Sequence, residues 1–166
     1  MGYFDIGIYH PKTKTNLGTL RRSALQLGAS GIFTIEMRYQ EQASDTPGAI
    51  RHLPLRHYAN WEQFKDSLPY RAVLVGVGTG GQPLARFYHP PQAVYLLGAE
   101  DEGLPPEILS RCHRVVSIES VRLPSFNVAV AGSIVMYHRL ISLHEWRQAD
   151  SRVPVPFPRH KEALGV

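Results

Sequence analysis

Two segments of this chain carry residues whose types and spacing suit them to joint chemistry: Leu97-Gly98-Ala99-Glu100-Asp101-Glu102-Gly103-Leu104, and Ser125-Phe126-Asn127-Val128-Ala129-Val130-Ala131. Both follow buried-strand patterns and both stand where the chain turns into a helix, so together they are expected to form one ligand pocket, that of an enzyme. In the first segment the glycines allow the backbone to approach a ligand closely, and Pro105 or Pro106 starts a short helix. Its three consecutive acids point in different directions, and no histidine stands near them at a helical spacing. A shared metal site is therefore not expected; one acid serves the site while the others face solvent.

Gly76-Val77-Gly78-Thr79-Gly80-Gly81 fits the dinucleotide pattern G-x-G-x-x-G and follows a strand. The fit fails in context. A dinucleotide turn opens a helix at once, whereas Pro83 follows here and no helical stripe appears before Pro90 and Pro91. A ligand loop at a strand's carboxyl end is the expectation instead.

The elements that must position these segments read as an α/β unit. Apolar runs at Tyr3 to Tyr9, Gly31 to Ile35, Ala72 to Val77, Ala93 to Leu97 and Arg114 to Ile118 predict buried strands. A first helix carries Leu17, Leu20, Ala24 and Leu27 on one stripe, with Thr15 or Asn16 as its cap and Gly28 as its stop. A second runs from Trp61 to Leu68. Such alternation predicts a mostly parallel sheet flanked by helices on both faces. Arg38 to Arg56 has few periodic apolar residues and reads as loops with a short strand. The expected organisation is one domain over 1–150, followed by an extended tail over 151–166, where Pro154, Pro156 and Pro158 forbid a continuous helix.

Composition bounds the class. With 166 residues, 43% hydrophobic and 19% charged, the chain can bury a core without staples. It has no run long enough to cross a bilayer and no basic, apolar leader at Met1 to Asp5, so a soluble, cytoplasmic protein without membrane contact is expected. The single Cys112 excludes an internal disulfide and a multi-cysteine metal site. A charge of +4 permits a polyanionic partner without requiring one. The eight histidines show no zinc spacing and read as surface or packing residues. Val128 to Tyr137 is apolar on nearly every side, and polarity returns only at Arg139, His144, Glu145 and Arg147. A helix of that kind needs cover all round, and a second copy of the chain is the natural cover, which predicts a homodimer through this carboxyl-terminal helix.

Asn16-Leu17-Gly18-Thr19-Leu20-Arg21-Arg22-Ser23-Ala24, Gly98 to Leu104, and Ser125-Phe126-Asn127 with the apolar helix after it resemble, in order, the three motifs of the SpoU/TrmH RNA methyltransferases. The resemblance covers roughly Tyr3 to Leu140 and is to the minimal members that lack an added RNA-binding domain. It implies an α/β knot, in which the carboxyl-terminal segment threads a loop as a trefoil. It also implies a dimer, S-adenosylmethionine as cofactor, and methyl transfer to a ribose 2′-hydroxyl of tRNA or rRNA. The cofactor is then expected against Val77, Gly78 and Thr79, against Gly98, and against the stretch from Ile118 through Pro124 to Ser125.

Arg22 matches the family's catalytic arginine. On a helical wheel it falls nearly opposite the Leu17, Leu20, Ala24 and Leu27 stripe, free to reach a groove. The resemblance also points to Asn16, Glu100 and Asn127 as catalytic-site residues. Asn16 either orients Arg22 or the RNA, or simply caps its helix; Glu100 holds Arg22 or Asn16; Ser125 and Asn127 contact cofactor and catalytic helix, with Ser125 also a candidate cap of the last helix. Lys12, Lys14, Arg21, Arg38 and Arg86 are candidate phosphate contacts. The stretch Glu119-Ser120-Val121-Arg122-Leu123-Pro124 departs from the family's usual loop, and Phe126 replaces an aliphatic residue, read as a packing variation. Two rival functions stand beside this one: a non-catalytic RNA-binding module on the same scaffold, and a methyltransferase acting on a base nitrogen.

Overall fold

The computed structural model describes residues 3–37, 53–123 and 125–149, with side chains up to residue 143. Six strands form one sheet: β1 (Phe4–Tyr9), β2 (Gly31–Ile35), β3 (Leu55–Tyr58), β4 (Val73–Pro83), β5 (Ala93–Leu97) and β6 (Arg114–Ser117). Their order is β3-β2-β1-β5-β4-β6, and every pairing is parallel. β1, β2 and β5 are buried at every position, as the continuous apolar runs require of strands covered on both faces.

Helices α1 (Lys14–Gln26) and α4 (Val128–Ala149) cover one face, where Leu17, Leu20 and Ala24 join Ile6, Ile8, Tyr95 and Met136. Helices α2 (Trp61–Asp66) and α3 (Pro106–Leu109) cover the other, where Trp61 and Phe64 pack with Phe33, Leu74 and Ile108. The Asn60 side chain caps α2 by accepting from the Gln63 amide, 2.9 Å away.

Three expectations change. α1 begins two or three residues earlier than the cap signal predicts, with Thr13 at the cap position, so Thr15 and Asn16 lie inside its first turn. β4 runs on through the glycines to Pro83, and these are no open loop: Val77 and Gln82 both pair with Val116, so residues 78–81 form a bulge in the strand. Gly80 takes the left-handed turn (φ 78°), and Gly81 lies so flat on β6 that a Cβ would stand 2.7 Å from the Val115 carbonyl carbon. The third change is Arg139, which is 2% exposed and does not restore polarity to the surface of α4. Its guanidinium donates to the carbonyls of Pro90 (2.6 Å) and Pro91 (3.0 Å) and to the Tyr95 hydroxyl (3.2 Å). It also lies 5.0 Å from the Phe4 ring centroid. His89 joins the same buried cluster through Tyr95 and His138, and burial pushes its pKa down to about 3.

Arg139→Ala should therefore lower unfolding free energy by about 3–5 kcal/mol, because it strands two buried acceptors, the Pro90 carbonyl and the Tyr95 hydroxyl, and empties their neighbourhood. Urea unfolding with an unchanged m-value is the check.

The buried stripe of α4 is Val128, Ala129, Gly132, Val135, Met136 and Arg139, while Val130 (46% exposed) and Tyr137 (57%) stand on its open side. No helix among the described residues is long and apolar enough to cross a membrane. Pro124, Arg38, most of the Arg38–Arg56 stretch, the side chains of His144, Glu145 and Arg147, and the tail over 151–166 lie outside the described residues.

Candidate active site

A cavity of about 300 Å³ opens at the carboxyl ends of β4, β5 and β6, the edge where open parallel sheets bind ligands. Its walls come from the β4 bulge (Val77, Gly78, Thr79), from the turn after β5 (residues 97–104), and from the segments joining β6 to α4 (Ser117, Ile118, Ser125, Phe126). Val77, Gly78, Thr79, Gly98, Ile118 and Ser125, expected here from sequence, all line it. Leu104, Val128 and Ala131 of the two pocket segments add apolar wall, as does Leu109, which no motif announced. Phe126 is more than a packing variation, for it is 37% exposed and faces the cavity.

The turn after β5 closes on itself through two hydrogen bonds between Ala99 and Gly103, 3.2 and 3.0 Å long. Closure presses Gly98 against the returning backbone, where a Cβ would meet the Gly103 carbonyl carbon at 1.9 Å. Only glycine fits. The same closure aims Glu100 at the start of α1, where its carboxylate accepts from the amides of Lys12 (2.9 Å) and Thr13 (3.2 Å), the Thr13 hydroxyl (3.0 Å) and the Asn16 side-chain amide (2.9 Å).

That chain of bonds has a fixed polarity. A carboxylate only accepts, so Asn16 must present Nδ2 to Glu100 and leaves Oδ1 to accept from Asn127 Nδ2 at 3.0 Å. Asn127 in turn presents Oδ1 to the amides of Ala129 (3.0 Å) and Val130 (3.3 Å), capping α4. Two expectations are corrected here: Asn127, not Ser125, caps the last helix, and Asn16 is not a cap but the link between Glu100 and α4. One run of hydrogen bonds thus ties together all three motifs and fixes both helix starts against the cavity.

Burial alone would raise the Glu100 pKa, but the bonds from Asn16, Lys12 and Thr13 outweigh it and hold the carboxyl below the usual 4.5. The stabilisation is therefore complete above that ordinary value and is lost as pH falls through the depressed folded one. Glu100→Gln, which turns an amide toward these donors, should cost about 1–3 kcal/mol at pH 7. The gap between the two proteins should close below the ordinary glutamate pKa, as measured by chemical unfolding from pH 7 to 3.

Of the other acids, Asp101 pairs with Lys12 at 3.0 Å and Glu102 is exposed, so the cavity rim carries net negative charge. Glu119 lies outside the cavity wall; it accepts from the Ala85 amide at 3.0 Å and so fastens the start of the 119–124 loop. Backbone hydrogen bonds hold its carboxyl below the usual range. Arg22 is exposed on α1 and is not among the residues lining the cavity. No cluster of three or more histidine, cysteine or acidic side chains able to hold a metal occurs among the described residues. Burial pushes the Cys112 thiol up to about 11, which leaves it unreactive.

Comparison with known proteins agrees with this geometry. The SpoU rRNA methylase family model matches residues 4–137. A search of curated proteins finds no match. Among solved structures, one concerned with 2-OH methylation of C/U34 on tRNA superposes with a TM-score of 0.72 at 24% identity, covering 86% of this chain and 92% of its own. An AdoMet-bound rRNA methyltransferase from Sinorhizobium meliloti gives 0.74 at 25% identity, covering 86% of this chain. The SpoU methyltransferase AviRb from Streptomyces viridochromogenes, in complex with AdoMet, gives 0.72 at 23% identity and the same 86%. This chain spans 57% and 58% of those two proteins. With a family model matched along most of its length and the three motifs joined by one run of hydrogen bonds, the chain belongs to the SpoU rRNA methylase family.

Proposed function

We propose that this protein transfers a methyl group from S-adenosylmethionine to a ribose 2′-hydroxyl of tRNA or rRNA, as a cytoplasmic homodimer joined through α4. The observation that carries the reading is the cavity lined by the second and third motifs and tied to the first by the Glu100–Asn16–Asn127 chain.

The cavity suits that cofactor. Leu97, Leu104, Leu109 and Ile118 offer apolar wall for a purine ring, and a Cβ at Gly78 would intrude between the β4 bulge and Leu109, 3.2 Å from its Cδ2. The acidic rim suits a cationic group. When bound, the cofactor supplies a methyl group on positively charged sulfur, already activated for transfer. Val77, Gly78, Thr79, Gly98, Ile118, Pro124 and Ser125 would hold it, and the carboxyl-terminal segment would thread a loop as a trefoil knot.

The residues must then deal with a poor nucleophile. A neutral ribose hydroxyl has to be aligned with the methyl group and to lose its proton as the new bond forms. Arg22 cannot be the base, because a guanidinium keeps its proton in proteins. It binds the substrate phosphate bidentately and fixes the ribose, and that phosphate or a neighbouring group accepts the proton. Glu100, Asn16 and Asn127 hold the helix that carries Arg22. Since Arg22 is not a lining residue of its own chain's cavity, the reading joins it to the cavity of the second copy, brought there by contact through Val130 and Tyr137.

The test is transfer of labelled methyl from S-adenosylmethionine to unmodified total tRNA and rRNA, followed by alkaline hydrolysis. Label in alkali-resistant dinucleotides supports ribose methylation. Label released on a modified base supports the base-nitrogen enzyme, and binding of RNA with no label supports the non-catalytic module.

A further inference from the structure

The opposite edge of the sheet carries a surface that neither the fold nor the cavity uses. The segments entering β4, β5 and β6 (67–72, 87–92 and 110–113) contain no aspartate or glutamate; they hold Arg71 and Arg111, the latter paired with Glu62 of α2 at 3.4 Å, and Arg114 opens β6. Strand register draws the three segments together. Val73 is aligned with Ala93, the Val73 amide donates to the Gln92 carbonyl at 3.0 Å, and the Leu74 amide donates to His113 Nδ1 at 2.9 Å. Two tyrosines there are almost wholly in solvent, Tyr70 at 87% and Tyr88 at 86% exposure.

Both tyrosines are accompanied by arginine. Arg71 holds its guanidinium 5.5 Å from the Tyr70 ring centroid, and its left-handed backbone (φ 70°) sets the turn that presents the pair. Arg114 donates to the Tyr88 carbonyl at 3.3 Å, fixing the backbone that carries the second ring. Exposed aromatic faces beside Arg71 and Arg114, on segments without acids of their own, match the chemistry of unpaired nucleotides: bases stack on the rings and phosphates meet the arginines.

We infer that this edge is a second RNA contact, a stacking platform for a single-stranded segment. It lies one strand length, roughly 16 Å, from the cavity. The inference rests on the reading that RNA is the substrate, and it gives the protein a way to select RNA away from the reacting ribose.

The test measures binding of fluorescein-labelled dodecauridine to the full chain. Tyr70→Ala/Tyr88→Ala should weaken it by roughly 10-fold or more, with Tyr70→Phe/Tyr88→Phe close to wild type. Arg71→Glu/Arg114→Glu should flatten the dependence of log K on log salt by about 1.4, the value for two phosphates on a single strand. In methyl transfer to tRNA the alanine pair should raise KM and leave kcat and melting temperature unchanged. Wild-type affinity in the alanine pair, or no dodecauridine binding by the wild type, overturns the platform. Methyl transfer that fails with every RNA while dodecauridine binding and its tyrosine dependence persist overturns the functional reading and leaves the platform standing.

Discussion

Arg22→Ala is expected to lower kcat for methyl transfer by about 10²–10³-fold, the cost of losing one charged donor from a site that must fix a reacting group. The side chain is exposed and stands apart from the buried stripe of α1, so melting temperature and S-adenosylmethionine affinity should not move. Single-turnover methylation beside calorimetric cofactor binding separates these effects. Arg22→Lys should recover little, since a lysine cannot reproduce the bidentate fork. Unchanged turnover in Arg22→Ala would remove this residue from the mechanism.

Gly98→Ala carries the largest expected structural effect. The new Cβ would lie 1.9 Å from the Gly103 carbonyl carbon, 2.1 Å from the Leu104 nitrogen and 2.3 Å from the Gly103 oxygen, and no side chain can rotate away to relieve contacts with backbone. The Ala99–Gly103 closure must open, and with it Glu100 leaves Lys12, Thr13 and Asn16. A loss of about 3 kcal/mol or more is expected, together with cofactor affinity. Gly103→Ala is the matched control. Nothing stands within 4 Å of a Cβ there, so only the left-handed backbone (φ 70°) is penalised, at about 1–2 kcal/mol. Equal stabilities for the two variants would contradict the close-approach account.

The sheet was legible in the sequence because its central strands are buried on both faces, which forces mostly apolar runs at Phe4–Tyr9, Gly31–Ile35 and Ala93–Leu97, broken only by Asp5 and Thr34. The cavity was legible where its wall is bare backbone, at Gly78 and Gly98, since glycine marks close approach whatever the ligand. Apolar wall outside the motifs was not legible: Leu109 looks the same in sequence whether it faces a core or a cofactor. Arg139 misled for a related reason. Its charge reads as surface, while carbonyls from a distant Pro90-Pro91 turn and the Tyr95 hydroxyl, which no periodicity connects to α4, satisfy it inside the fold. Asn16 and Asn127 were recognised as site residues, yet their direct bond spans 111 positions and became visible only in three dimensions.

The central claim is that the cavity between the β4 bulge, the Gly98 turn and the start of α4 is the S-adenosylmethionine site. Thr79 lines that cavity from an exposed position, so Thr79→Trp fills the cavity without disturbing the core. Calorimetric titration of S-adenosylmethionine into the two proteins should give one site per chain for the wild type and no measurable binding for Thr79→Trp at the same melting temperature; equal binding by both, or none by the wild type, would contradict the account.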